Sequence, residues 1–474
     1  MKIAQHLIKN KKLLLIIILL PFFSLIIFKK HIPENYKSFI REYILVYKKI
    51  NNLKLDLKNL ETKNQYLETK INKKNSIIFD LTASQPEYIF VKNEKEEDLI
   101  FNEKKVKIIK FSNEAISNLT PRAHFELHDD KVFLITGIGQ ILYSSSDSNN
   151  FNSKEVQFKQ IETNLFKKIN IDYISDNSTV FKSVLIVDGF IFVSYVKEHN
   201  ENCYTNSILR GEFNYKKINF EEFFDTKDCS VYYGHQTGGI LAHYKKNEFV
   251  FSVGDWYGYT LEDGLRHNKP QEMNSYKGKI IKFTIDNNKP EILSLGHRNP
   301  QGLRYDKDND ILFSTDHGPQ GGDEINIDIN PDLKNIKNYG WGIASYGEHY
   351  GYPVSNNTVE YKAAPLYKSH KKYGFIEPMT YFVPSIAITQ IDFIDDKYSD
   401  QRDFFVAALG YDLEEGDKSI HNITFNKKNY WEKKSHNIIP IDERIRDLKY
   451  YNNIGLLFWA EESGSIGILK IEND

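Results

Sequence analysis

Cysteine is almost missing from this 474-residue chain, and the two present, Cys203 and Cys229, are too few for a disulfide scaffold. Net charge is almost missing as well: 62 Lys+Arg against 64 Asp+Glu leave -2, which argues against a general nucleic-acid binder. No Pro/Gly/Ser-rich linker divides residues 79–474, which argues against two separate globular domains there. His297 and His317 lack the paired cysteines or H-x-x-x-H spacing that a zinc site needs.

The near-zero total hides an uneven distribution. Residues 1–78 hold 16 Lys+Arg and 5 Asp+Glu, a net of +11, leaving 46 against 59, or -13, for residues 79–474. Within the basic part, Leu13 to Phe28 is an apolar run broken only by Ser24, with lysines on both sides. As a helix it measures about 24 Å, close to what a bilayer core requires. The sequence after it, Phe28-Lys29-Lys30-His31, offers no small-residue cleavage site, so residues 1–30 read as an uncleaved membrane anchor. From Tyr43, the residues Val46, Ile50, Leu53, Leu57, Leu60, Asn64, Leu67 and Ile71 recur at alternating spacings of three and four. That is a heptad seam with Asn64 at an a position, which favours an in-register parallel pairing, most simply a homodimer. Residues 36–75 are therefore expected to form a coiled-coil stalk, a single helix packed on the next domain being the alternative.

Residues 79–474 show no long helical periodicity, but a short apolar run returns six times: 131–136, 189–194, 248–253, 311–315, 403–408 and 456–460. The centres, at 133, 191, 250, 312, 405 and 457, lie 58, 59, 62, 93 and 52 residues apart. A second strand-like piece follows each: 140–143, 207–210, 279–283, 324–327, 420–425 and 466–471. Strand pairs recurring at a fixed period mark a radial β array, because each sheet buries its faces only against its neighbours. The fold class expected is all-β: a six-bladed β-propeller over residues 100–474, preceded by a transmembrane helix and a helical stalk. The interval of 93 implies an insertion of about 30 residues between the fourth and fifth repeats, and long loops in compact folds are usually functional.

Polar residues concentrate in and near that insertion. Gly296-His-Arg-Asn-Pro-Gln-Gly-Leu303, Asp316-His-Gly-Pro-Gln-Gly-Gly-Asp-Glu-Ile-Asn326, Asn338-Tyr-Gly-Trp-Gly342 and Ser345-Tyr-Gly-Glu-His-Tyr-Gly351 are dense in glycine, which frees backbone groups for a ligand. Asp323 and Glu324 beside such carbonyls suit a hard cation such as calcium, or form a solvated turn pair. Upstream, His235 in Gly234-His-Gln-Thr-Gly-Gly239 and Asp255 at a strand end have the makings of a general base and its acidic partner; both also suit ordinary turns.

These segments, with Pro384-Ser-Ile-Ala387 and Arg444-Ile-Arg-Asp447, occur in an order that resembles the glucose/sorbosone dehydrogenase family, the soluble PQQ-dependent aldose sugar dehydrogenases, over about residues 115–474. The resemblance implies a six-bladed propeller that oxidises aldoses to lactones with PQQ and calcium. It implies His235 as the base for the anomeric hydroxyl, Asp255 as the residue orienting it, and Arg298 as the group stabilising charge on the quinone oxygen. It implies Asn299, Arg444 and Arg446 as cofactor-binding residues and Tyr350 against the cofactor plane. Gly318 and Pro319 would supply carbonyls to one calcium, and Glu324 and Tyr339 would serve a second.

The chain departs from the family pattern at three points. Leu409-Gly410-Tyr411-Asp412 stands where family members commonly carry a Leu-Lys-Gly turn, and only Lys418, past an acidic loop, is near in sequence. Gly239 replaces the arginine usual after His-x-x-Gly, and the early glutamine is missing around Thr179–Lys182. The expected protein is thus a sugar dehydrogenase on the inner membrane, single-pass, its propeller in the periplasm, passing electrons to a quinone or soluble carrier. In that compartment Cys203 and Cys229 could pair. The alternative is a propeller that has lost the cofactor and binds carbohydrate or a protein partner.

Overall fold

The computed structural model describes residues 34–82, 87–101, 104–113, 116, 122–169, 180–200, 202–231, 236–256, 269–350, 364–394, 398–410 and 417–471. The chain divides into two units, Met1–Lys73 and Lys74–Asp474. The helix α1 (Glu34–Thr82) runs 49 residues without glycine or proline, the two residues most costly inside a helix. Along it Val46, Ile50, Leu53, Leu57, Leu60, Leu67 and Ile71 are all exposed.

The expected single-pass inner-membrane placement is corrected here: among the described residues no helix is long and apolar enough to cross a membrane. Helix α1 has the length, but charged side chains recur along it from Glu34 to Asp80. The run Leu13–Phe28, on which that placement rested, lies outside the described residues.

The second unit is all-β. Its first strands, β1 (Tyr88–Phe101) and β2 (Lys104–Ser112), form an antiparallel hairpin. The first four-stranded blade is β3 (Ala123–His128), β4 (Lys131–Thr136), β5 (Ile141–Ser145) and β6 (Glu155–Gln160). After the short β7 (Glu162–Thr163), the second is β8 (Phe181–Val187), β9 (Phe190–Asn200), β10 (Cys203–Glu212) and β12 (Glu221–Asp225), with β11 (Lys217–Ile218) pairing to β7. The third is β13 (Gly238–His243), β14 (Glu248–Val253), β15 (Lys279–Thr284) and β16 (Asn287–Leu295). The fourth is β17 (Pro300–Asp306), β18 (Ile311–Asp316), β19 (Asp323–Ile329) and β21 (Thr380–Phe382), while the intervening β20 (Lys337–Asn338) joins the edge of the third. The fifth is β22 (Ile388–Phe393), β23 (Gln401–Ala408), β24 (Ser419–Asn426) and β25 (Asn429–Pro440). The sixth is β26 (Ile445–Tyr451), β27 (Gly455–Ala460) and β28 (Ser465–Ile471), completed by β2 from the other end of the chain.

The first strands touch in turn, β3 to β8, β8 to β13, β13 to β17, β17 to β22, β22 to β26 and β26 back to β3, so the ring closes on itself in a propeller-type arrangement. The six recurring apolar runs are the second strands of the blades, and the pieces that follow are the third strands. Both faces of these strands are buried because a separate apolar cluster fills each junction between neighbouring blades, as Phe133 and Ile135 meet Val184 and Ile186 between the first two. The predicted insertion is the stretch 330–379 between β19 and β21. Cys203, opening β10, is disulfide-bonded to Cys229.

Candidate active site

The first strands of all blades but the fifth bring polar side chains to one end of the ring, where they line a cavity of about 220 Å3. Its described lining includes Arg298, Asn299, Tyr350, Arg444 and Arg446, so every predicted cofactor-binding residue meets there. Arg122, His124, Lys182, Gln236, Gln301 and His317 also line it, and sequence reasoning gave none of these a role. Five basic residues and two histidines thus face the cavity, and no carboxylate is among its described lining residues. A larger cavity of about 630 Å3 opens near Gln401 and Tyr450–Leu456, at the far end of β26, and contains none of the predicted residues.

The turn before β17 is organised by Asp316, whose carboxylate accepts from the backbone N–H of Arg298 and of Asn299, the latter at 2.7 Å, and lies 3.1 Å from His297 Nδ1. Arg298 is 3% exposed, donates to the His317 carbonyl at 2.7 Å and to the Gly318 carbonyl, and sits 5.3 Å above the Trp341 ring. Asn299 Oδ1 accepts from the Gly238 N–H and from Gln301, fixing the start of β13 against β17. Arg446 donates two hydrogen bonds to Glu461, at 2.9 and 2.7 Å, and one to Gln301. Burial, then the neighbouring Arg122, bring the Arg446 pKa down to about 10, so it stays charged at neutral pH. Burial, then Arg446, holds the His124 pKa well below its ordinary value, so that imidazole is neutral. Burial likewise lowers the pKa of His317.

Asp255 is fully buried one step behind the cavity wall. Its Oδ2 accepts from Trp341 Nε1 at 2.7 Å. With its amide oriented to satisfy both neighbours, Gln236 donates to Asp255 Oδ1 at 2.8 Å and accepts from Arg298 at 2.9 Å. Asp255, Gln236 and Arg298 therefore form one hydrogen-bonded chain, closed by Trp341. His235 lies outside the described residues.

Lys418 does not reach the cavity; its Nζ pairs with Glu462 at 3.1 Å. Position 410 has no room for a lysine, since a Cβ there would stand 1.7 Å from the Asp417 carboxyl carbon, and φ is +42°.

The four residues expected around calcium lie near one another without forming a vacant donor set. Gly318, Glu324 and Tyr339 line a void of about 10 Å3 shared with Arg298 and Asp316, and Pro319 is buried beside them. The Gly318 carbonyl accepts from Arg298, the Tyr339 hydroxyl donates to the Ile327 carbonyl at 2.9 Å, and Glu324 pairs with His370 at 3.2 Å. Burial opposes charge on His370, yet Glu324 keeps its pKa above the ordinary value. Among the described residues no three His, Cys, Asp or Glu side chains gather as a metal cluster.

The sequence profile described as Glucose / Sorbosone dehydrogenase matches residues 185–470. The chain belongs to the glucose/sorbosone dehydrogenase family. It is 29% identical over 256 residues to the aldose sugar dehydrogenase YliI of Escherichia coli, covering 50% of this chain and 60% of that protein. It is 33% identical over 145 residues to quinoprotein glucose dehydrogenase B of Acinetobacter calcoaceticus, covering 26% and 29%. The chain thus spans about three fifths of the first of these relatives and less of the second. Its fold is shared with the crystal structure of a glucose dehydrogenase at a TM-score of 0.55 and 19% identity, over 74% of this chain and 96% of that one.

Proposed function

We propose that this member of the family oxidises an aldose at its anomeric carbon with PQQ held in the central cavity. The observation that carries the reading is the basic lining, with no carboxylate among its described residues, which fits an anionic cofactor and whose charge Glu461 offsets only in part. Arg446, held by Glu461 and Gln301, and Arg444, held by the Gly410 carbonyl, bring guanidinium charge suited to carboxylates to the wall, and Gln301 links Arg446 to Asn299. Bound there, the quinone supplies a hydride acceptor. Arg298, held by two backbone carbonyls and the Trp341 face, is preorganised to stabilise negative charge developing on an oxygen. His235 is proposed as the base that takes the proton of the anomeric hydroxyl, and Asp255 as the buried carboxylate that orients it. The electrons then pass to a quinone or a soluble carrier.

The fit to calcium is poorer. A calcium ion would have to draw on the Gly318 and Pro319 carbonyls, and the first is occupied by a guanidinium; the Glu324 carboxylate is likewise paired.

The test titrates the purified chain with PQQ and follows sugar-dependent dye reduction over a panel of aldoses. Saturable PQQ binding with aldose-dependent turnover is expected. Absence of both would sink the proposal and favour a propeller that only binds carbohydrate or a protein partner.

A further inference from the structure

We propose that Lys182 is an anion-binding residue of the central cavity, its Nζ joining the guanidinium groups of Arg122 and Arg446 around a carboxylate of the ligand. The inference rests on the reading above in taking that ligand to be PQQ, but its grounds are steric and electrostatic.

Lys182 lies on β8, the first strand of the second blade, is 4% exposed, and lines the cavity. Its Nζ has no hydrogen-bond partner among the described residues. A lysine is almost never fully buried unpaired, because desolvating the ammonium without compensation is costly. A side chain kept for stability would not be placed there. The carboxylate that acts on it among the described residues, Glu461, is already engaged by Arg446 at 2.7 Å and lies 3.6 Å from Arg122.

The neighbouring blade is shaped for this side chain. Gly239 on β13 has φ +101°, and a Cβ there would stand 2.8 Å from Lys182 Cβ and 2.9 Å from its Cγ. A larger residue at 239 and the lysine stem at 182 therefore exclude one another. The charge that position 239 lacks enters the cavity from the next strand instead.

Among the described residues, the titratable and charged groups around Lys182 are Arg122 and His124 from the first blade and Arg446 and Glu461 from the sixth, while the third presents uncharged Gly239. Burial first, then Arg122 and Arg446, hold the lysine well below its ordinary pKa of 10.5. An anion arriving beside it favours the charged amine, so binding raises the lysine's pKa and takes up protons at any pH where the free amine is partly uncharged.

The experiment measures PQQ binding to the full chain by calorimetry in buffers of different ionisation enthalpy, with Lys182→Met and Lys182→Gln as variants. Across a series of pH values, wild type is expected to take up protons on binding where the free amine titrates. The variants are expected to bind about 10- to 100-fold more weakly, to take up fewer protons, and to melt at higher temperature without ligand, since an unpaired buried amine has been removed. Equal affinity and equal proton uptake in wild type and variants would overturn the proposal. So would a lower ligand-free melting temperature with unchanged affinity, which is the signature of a structural lysine. Acylation of Lys182 followed by mass spectrometry needs no variant: PQQ should protect the amine. If wild type fails to bind PQQ, the proposed function falls, and benzene-1,3,5-tricarboxylate becomes the probe. Protection by it sustains Lys182 as an anion site; no protection by either compound overturns it.

Discussion

Trp341 does two things at once: its indole N–H holds Asp255, and its ring carries the Arg298 guanidinium. Trp341→Phe keeps a ring but removes the donor, so Asp255 loses a charge-assisted bond worth about 1.5–3 kcal/mol. Turnover should fall about 10- to 100-fold while PQQ affinity changes little; equal losses in both would mean that the ring serves only to bind. Glu461 gives a second test. Burial raises its pKa, but Arg446, Arg122 and Arg444 outweigh that and leave it below its ordinary 4.5. A carboxyl depressed by folding contributes stability that is complete above its unfolded value and lost as pH falls through its lower folded value. Glu461→Gln should therefore flatten the acid limb of the stability curve, cost about 3–5 kcal/mol near neutral pH, and tighten polyanion binding, because two arginines lose their counter-charge. Weaker PQQ binding in this variant would contradict the charge argument. The motif residues Arg298, Asn299, Arg444 and Arg446 were legible because their order along the chain carries the signal. Lys182 and Arg122 were not, since a lone cation in an apolar strand looks like a solvated edge residue until the ring folds it inward.

At the scale of elements, the sequence displayed the second and third strands of each blade and concealed the first. Strands such as β4 and β14 are buried on both faces by neighbouring blades and read as continuous apolar runs. The first strands carry His124, Lys182, Gly238, Gln301 and Arg446, polar or conformationally special residues that line the cavity and break any apolar pattern. What hid them is thus the same property that makes the site. Helix α1 was legible from its spacing, and its pairing remains a proposal. The exposed Leu53, Leu57 and Leu60 are apolar surface that water would otherwise face, and Asn64 falls in the same seam. Sedimentation equilibrium of the full chain should give the mass of two copies, dropping to one for Leu57→Asp combined with Leu60→Asp. A single-copy mass before substitution would remove the heptad reading.

For the whole molecule, the decisive contact is between the two ends of the β unit. Strand β2 pairs with β28 from Val106 opposite Ile471 to Phe111 opposite Ile466, and on its other side with β1. Without β2 the sixth blade would end in an open edge, and the junctions of that blade with the fifth and the first would lose Val106, Ile108, Ile109 and Phe111. The cavity depends on this closure as well: Arg444 and Arg446 stand at the start of the sixth blade, Arg122 and His124 at the start of the first. The acidic surplus of residues 79–474 therefore does not govern the site, because ring closure gathers the cations from distant stretches of chain into one wall. Proline at position 108 removes a ladder donor in the middle of β2 and should cost about 3 kcal/mol or more. Hydrogen exchange of Ile108→Pro is expected to speed up in β2, β28 and β26 together, with PQQ affinity falling in step. Faster exchange confined to β1 and β2, with β28 still protected and affinity intact, would show that the ring holds without its closing strand.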